Sequence, residues 1–289
     1  MGEHYLNKNQ VKQKTNKVWL ITGCSTGLGR AFATAALAAG YLVAVTSRKI
    51  SDIEDIVAAY PETAIALALD VTKSEGIACA VDAAIQRFGK IDVLLNNAGI
   101  GYLGSIEESD DVETRRMMEI NFYGLANTTK AVLPSMRSQN SGHIINISSI
   151  CGLYSFPGLG YYNATKYAVD GFSETLYREV KHLGIKVSII APGAFRTDWA
   201  GRSALESKAE IKDYAITADA FKTIIRNSDG SQTGNPVKAA EAIIGIVESN
   251  DPPLRLLLGT DALQQARIKL TELSSDFDAL EATTISTNF

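Results

Sequence analysis

Cysteine is scarce in this chain: Cys24, Cys79 and Cys151 are odd in number and far apart. Such spacing offers neither a disulfide framework nor a zinc site, and it fits a reducing, cytoplasmic setting. Histidine is as scarce, with only His4, His143 and His182. Their scatter argues against any metal centre and against a Ser-His-Asp hydrolase. No apolar run approaches the ~18 residues that span a bilayer, so no membrane partner is expected. An excess of one charge sign is also missing. Lys and Arg number 28 against 32 Asp and Glu, a net charge of -4. Nothing there invites nucleic acid or anionic lipid. Residues 1–16 hold neither the apolar core of a secretion signal nor an arginine, and read as a flexible polar arm.

What the chain does have is a regular alternation. Short apolar runs at 17–22, 41–46, 64–69, 91–95, 143–148, 185–191 and 254–258 read as buried strands. Helical patterns at 30–39, 74–88, 111–138, 161–183, 236–248 and 261–280 lie between or after them. This rhythm predicts one α/β domain over 17–289, a doubly wound, seven-stranded parallel sheet flanked by helices. Ligands of such sheets sit beyond the carboxyl ends of the strands. The polar, partly helical stretch 198–235 is a candidate helical substrate lid. Its anchors Trp199, Tyr214 and Phe221 either pack the lid down or touch substrate.

The first strand runs into Gly23-Cys24-Ser25-Thr26-Gly27-Leu28-Gly29 and then a helix. Glycines let backbone approach a pyrophosphate, and the free amides of the first helical turn face it. Gly23, Ser25, Thr26, Gly27, Leu28 and Gly29 are therefore candidate dinucleotide contacts. At the end of the second strand an NAD-binding unit carries an acid for the ribose hydroxyls. Here stand Ser47, Arg48 and Lys49, a hydroxyl and two cations. They suit a 2'-phosphate, so NADP(H) is preferred to NAD(H), although Arg48 and Lys49 also read as solvated loop charges. Asp70, Asn97, Gly99 and Ser149 each fall at a strand's carboxyl end.

Ser149 opens a Gly/Pro-rich loop that leads to Tyr162 and Lys166, four apart on one helical face. A free phenol ionises near pH ~10, and a neighbouring cation lowers that value toward the range useful for proton transfer. Ser149 can hold the same oxygen. Asn121, inside a helical pattern, is solvated or bends the helix to hold a water.

Taken in order, Thr22-Gly23-x-x-x-Gly27-x-Gly29, Asp70, Asn96-Asn97-Ala98-Gly99, Asn121, Ser149, Tyr162-x-x-x-Lys166 and Pro192-Gly193 with Thr197 resemble the short-chain dehydrogenase/reductase family, in its non-extended form, over roughly 17–260. The resemblance implies a Rossmann fold and a catalytic set of Asn121, Ser149, Tyr162 and Lys166. Tyr162 would be the general acid or base, and Lys166 would bind the nicotinamide ribose. Asp70 and Val71 would hold the adenine, and Thr197 the carboxamide. Asn97, Ala98, Gly99, Pro192, Gly193 and Phe195 would complete the cofactor cleft. A narrower likeness to retinol, steroid and carbonyl reducers implies an apolar ketone, aldehyde or secondary alcohol, walled by Cys151, Leu153, Phe156, Phe195 and Trp199. The family also implies a homo-oligomer, dimer or tetramer, paired through the two long helices. Two other readings stand beside this one: a dinucleotide-sensing regulator without chemistry, and a reductase of acyl-carrier thioesters.

Overall fold

The computed structural model describes residues 17–289; the arm expected at 1–16 lies outside the described residues. Nine strands occur along the described chain: β1 (Val18–Ile21), β2 (Leu42–Ser47), β3 (Ala64–Ala68), β4 (Val93–Asn96), β5 (Gly101–Leu103), β6 (Gly142–Ile147), β7 (Ile185–Pro192), β8 (Ala204–Glu206) and β9 (Arg255–Leu258). Seven of them form one parallel sheet in the order β3-β2-β1-β4-β6-β7-β9. The order reverses beside β1, between β2 and β4. That reversal opens a crevice at the carboxyl edge, where α/β sheets bind ligands.

The strands are apolar throughout because both faces are covered. Side chains alternate along β1. Trp19 and Ile21 join Val43 and Val45 on one face, under α1 (Gly27–Ala38) and α8 (Pro236–Glu248). Leu20, Ala44, Leu94 and Ile144 face the other way, under α3 (Ser74–Phe88), α5 (Leu125–Gln139) and α6 (Gly160–Val180). Local chemistry sets several ends. Gly89 stops α3 in the left-handed region at φ 85°. The Asp110 carboxylate accepts from the amides of Val112 and Glu113 to start α4 (Asp111–Met118). Asn235 does the same ahead of Pro236.

The expected helix at 111–138 is interrupted. Residues Glu119–Gly124, centred on Asn121, form a π-helical turn between α4 and α5, while Pro134 lies within α5. Turns of this kind recur at functional sites. A second difference is a small sheet of β5 with β8, three residues each. It staples the start of the lid to the loop after β4. The rest of the lid holds α7 (Ala220–Asn227). A short α2 (Glu54–Ala58) follows β2, and α9 (Thr260–Ala279) with α10 (Glu281–Ile285) closes the chain. No helix among the described residues is long and apolar enough to cross a membrane.

Candidate active site

The glycine turn is held from several sides. The Cys24 amide donates to Thr46 O at 2.8 Å. The Thr22 hydroxyl accepts from the amides of Asn97 (2.9 Å) and Ala98 (3.0 Å), and Asn97 Nδ2 returns bonds to the carbonyls of Thr22 and Gly23 at 3.0 Å each. The turn after β1 and the turn after β4 are thus one unit. Thr22 is its pivot; the sequence places it in the glycine motif but gives no hint of this bonding role.

Within that unit Thr26 caps α1 by backbone position only, and its side chain makes no cap bond. The first-turn amides of Gly27, Leu28 and Gly29 therefore face the crevice without a side-chain acceptor, as an anion-binding helix start requires. A Cβ at Gly29 would collide with the Gly23 carbonyl oxygen and Asn97 Nδ2. Gly29→Ala is expected to cost about 3 kcal/mol of stability, the scale of overpacking at a rigid site. A chemical denaturation curve that matched the parent would show that the turn relaxes freely.

Around the crevice the expected residues gather unequally. Asp70 ends the β3 arm, and its Oδ1 accepts from the Thr72 amide (3.0 Å) and hydroxyl (2.8 Å). Burial pushes its carboxyl up, but the Thr72 bonds with nearby Lys73 and Arg48 outweigh that and hold it below the usual range. Val71 packs against Gly124, in the π turn. Ser47 is buried, and its hydroxyl is engaged within the turn, donating to Lys49 O and accepting from Lys49 N. Arg48, in contrast, is exposed at the crevice mouth. Pro192 ends β7, and Gly193 and Thr197 follow it; Thr197 Cβ stands 3.5 Å from where a Gly27 Cβ would be. Phe195 departs from expectation. Its ring lies on Gly234 and the core under α1, away from the substrate walls.

The opening of α6 carries the chemistry. Tyr162 and Lys166 are 7 % and 6 % exposed, whereas the adjacent Tyr161 is only half-buried. Lys166 Nζ lies 5.6 Å from the centre of the Tyr162 ring and donates to Ile147 O at 2.9 Å. The Ser149 hydroxyl accepts from the Cys151 amide (3.1 Å), reaches Pro192 O at 3.5 Å and lies near enough to the Tyr162 phenol to favour its ionised form. Asn121 reaches the same place from the π turn. Its Oδ1 accepts from the Ile100 amide (2.8 Å), and its Nδ2 donates to Ile100 O (2.9 Å) and Thr165 Oγ1 (3.2 Å). Those bonds satisfy Asn121 in a helix interior and secure the loop after β4 against α6.

Electrostatics here correct a simple expectation. Burial pushes the Tyr162 phenol well above its ordinary value, proximity to Cys151 adds to this, and Ser149 opposes it. Burial also pulls the Lys166 ammonium down to about 8, against the attraction of Asp170. A lysine so displaced is a weaker cation toward Tyr162 than the sequence suggests, and burial wins.

Next to Tyr162 lies an apolar wall. Cys151, Leu153, Phe156 and Trp199 all belong to it. Trp199 meets the Tyr162 ring at 5.1 Å, and Phe156 stacks on Phe221 of α7 at 5.2 Å and 13°. Tyr214 instead anchors the lid outside, donating to Glu107 at 2.7 Å. Tyr102, Ala262 and Ala266 join the wall without having been legible as site residues. Small residues on a C-terminal helix carry no signal of what they face.

Comparisons with known proteins identify the family. The short chain dehydrogenase family profile matches residues 17–208. An oxidoreductase of Botryotinia fuckeliana is 41% identical over 251 residues, covering 86% of this chain and 91% of that protein. A 3-ketodihydrosphingosine reductase of Bacteroides thetaiotaomicron is 38% identical, covering 84% and 88%. A short-chain dehydrogenase structure from Streptomyces avermitilis superposes with a TM-score of 0.89 at 40% identity, covering 96% of this chain and all of that one (100%). A family structure from Burkholderia phymatum in complex with NAD gives 0.81 at 26% identity, covering 92% and 97%. An alcohol dehydrogenase from the archaeon Thermococcus sibiricus complexed with 5-hydroxy-NADP gives 0.69 at 27%, covering 84% and 95%. A buried Tyr–Lys pair beside an uncapped glycine turn, on a sheet of this order and with these relatives, leaves one assignment: the chain belongs to the short-chain dehydrogenase family of nicotinamide-dependent oxidoreductases.

Proposed function

We propose that this protein is an NADP(H)-dependent carbonyl reductase or alcohol dehydrogenase acting on an apolar ketone, aldehyde or secondary alcohol. The observation that carries the proposal is the placement of Ser149 and Lys166 beside the buried Tyr162 against an aromatic wall. Gly23 to Gly29, Asp70, Asn97 to Gly99, Pro192, Gly193 and Thr197 fit a dinucleotide, because the glycine turn is packed for backbone approach and its helix start is uncapped. The nicotinamide, when bound, supplies or takes the hydride. Ser149 holds the substrate oxygen. Tyr162 Oη gives that oxygen a proton in reduction and takes it in oxidation. Lys166, fixed through Ile147 O, supplies positive charge beside the phenol. Asn121 holds the loop that carries Ile100, and so the floor of the site. The aromatic wall, Trp199 foremost, excludes water and favours an apolar substrate.

The cofactor preference rests on Arg48, a cation at the end of β2 where an acid would reject a 2'-phosphate. Its neighbour Ser47 contributes by shaping the turn rather than by a free hydroxyl. Arg48→Ala is expected to weaken NADPH binding about tenfold, the worth of roughly 1.4 kcal/mol, and to leave NADH binding unchanged. Fluorescence titration with both dinucleotides, followed by turnover on a panel of ketones and aldehydes, checks this. An NADH preference in the parent protein would overturn the cofactor assignment. NADPH binding without turnover on any carbonyl would favour a sensor instead.

A further inference from the structure

One arginine of the lid ties the substrate wall together. Arg226 lies in the last turn of α7. Its guanidinium reaches the segment after β7, where Trp199–Ser203 form a π-helical turn that leads directly into β8. Arg226 Nη1 donates to Ala200 O and to Gly201 O (2.6 Å), and Nη2 donates to Ala204 O (2.8 Å). Nε donates to the Glu206 carboxylate. The need for such a group is physical. The last carbonyls of a helical turn have no amide partner within it, and Ala200 and Ala204 are buried away from water. A planar fork of N–H groups answers several carbonyls at once, which an ammonium on a flexible stem does not.

Trp199 is the first residue of that turn, and its indole lies on the Tyr162 ring at 5.1 Å. The indole also fills space that only a glycine leaves: a Cβ on Gly101 of β5 would stand 2.7 Å from Trp199 Cζ2. Ala204, whose carbonyl Arg226 holds, is the register partner of Gly101. One guanidinium therefore fixes both the turn that presents the indole and the strand beside its seat. From the first turn of the same helix, Phe221 stacks on Phe156 in the loop after Ser149. Through these two residues α7 grips both halves of the wall.

We propose that Arg226 is a positioning residue of the active site: by capping the Trp199 turn it fixes the indole against Tyr162 and so sets the space left for substrate. The kinetic consequence rests on the carbonyl chemistry proposed above; the structural one does not. Glu206 plays the lesser part. Its side chain is 36% exposed and that of Arg226 29%, and an ion pair so open to water is worth little. The carbonyl bonds do the positioning.

Tryptophan emission reads the indole with or without turnover. The chain has two tryptophans, and Trp19 is fully buried in the core, so a Trp199→Phe chain supplies its background. In Arg226→Lys, which keeps the positive charge, Trp199 emission should shift to the red and be quenched more readily by acrylamide, while NADPH affinity stays as in the parent. Arg226→Gln should give the same spectrum, and Glu206→Gln that of the parent. On a carbonyl substrate, Arg226→Lys should raise KM about tenfold, the worth of one lost contact, with kcat within about twofold. The same substitution in a Trp199→Ala chain should change neither constant further, because the arginine acts only through the indole. Unchanged Trp199 emission in Arg226→Lys would show that the arginine does not hold the indole. Losses that add in the double variant would make Arg226 a general brace of the lid. A Glu206→Gln spectrum like that of Arg226→Lys would give the effect to the ion pair. Each of these overturns the proposal. If no carbonyl is turned over, the function proposed above fails, while the emission still decides whether Arg226 places Trp199.

Discussion

Tyr162→Phe is expected to lower kcat about 10³-fold and to leave NADPH affinity within about twofold of the parent, a loss on the scale of removing a general acid. The substitution deletes one oxygen from a buried ring. Everything else that places the ring survives: Trp199 at 5.1 Å, Lys166 Nζ at 5.6 Å from its centre, and the surrounding apolar wall. A fold effect is therefore not expected, and the lost rate isolates the proton. The adjacent Tyr161 offers the control. It is half-buried and one helical step off the Lys166 face, so Tyr161→Phe should keep most of the rate. Steady-state kinetics on the best carbonyl substrate, with dinucleotide titration beside it, makes the comparison. Comparable turnover in Tyr162→Phe would remove Tyr162 from the mechanism outright.

The physical case for Tyr162 differs from the one its motif suggests. Read from sequence, a cation four residues on lowers the phenol. In the folded protein, burial raises Tyr162 and drags Lys166 down to about 8. A phenol held neutral carries the proton that reduction needs, yet burial also makes it a weaker acid, so positive charge beside it at Lys166 is what favours its release. Periodicity and spacing cannot report burial, so this reversal was not legible beforehand.

Other features divide along the same line. The seven parallel strands and the strand-end positions of Gly23, Asp70, Asn97 and Ser149 follow from local pattern, because a parallel sheet with covered faces needs unbroken apolar runs. The break in the helix at Asn121 was half-visible, since an Asn in a helix interior is anomalous, but only the fold shows it as a π turn bonded to Ile100 and Thr165. The pairing of β5 with β8 joins three-residue segments about a hundred residues apart, and such short strands leave no periodic trace. The resemblance implied Phe195 for the cofactor cleft and the substrate wall, yet its ring is seated on Gly234 and the core. Long-range partners decide these cases, and a single sequence does not contain them in readable form.

Asp170 is the strongest example, and it carries the second large expectation. It lies one turn beyond Lys166 with its side chain 6% exposed. The Ser148 hydroxyl donates to its Oδ1, Arg255 Nη2 from β9 donates to its Oδ2 at 2.8 Å, and Arg255 also reaches Glu174 at 2.9 Å. The carboxylate thus ties the end of β6, the start of the Ser149 turn and the edge strand β9 to the catalytic helix. Burial pushes its own carboxyl up, opposed by Ser148, Arg255 and Lys166. Asp170→Ala leaves Arg255 with Glu174 alone and Ser148 with only its longer bond to Lys166 O at 3.4 Å. It should cost about 3 kcal/mol, the low end for breaking a buried ion pair, because Arg255 stays partly solvated. Asp170→Asn keeps the shape and removes the charge, and so tests something else. Asp170 favours the charged form of Lys166. Without it, the folded value of Lys166 must fall further below about 8, and the range over which Lys166 is an ammonium narrows from its alkaline side. If that charge serves the reaction, the alkaline limb of the kcat/KM profile moves to lower pH in Asp170→Asn, while the rate on its acid side is retained. A purely structural role would lower the rate at every pH and leave the limb where it stands. Asp170 would then be a brace for the helix, and burial would be left as the main influence on the charge of Lys166.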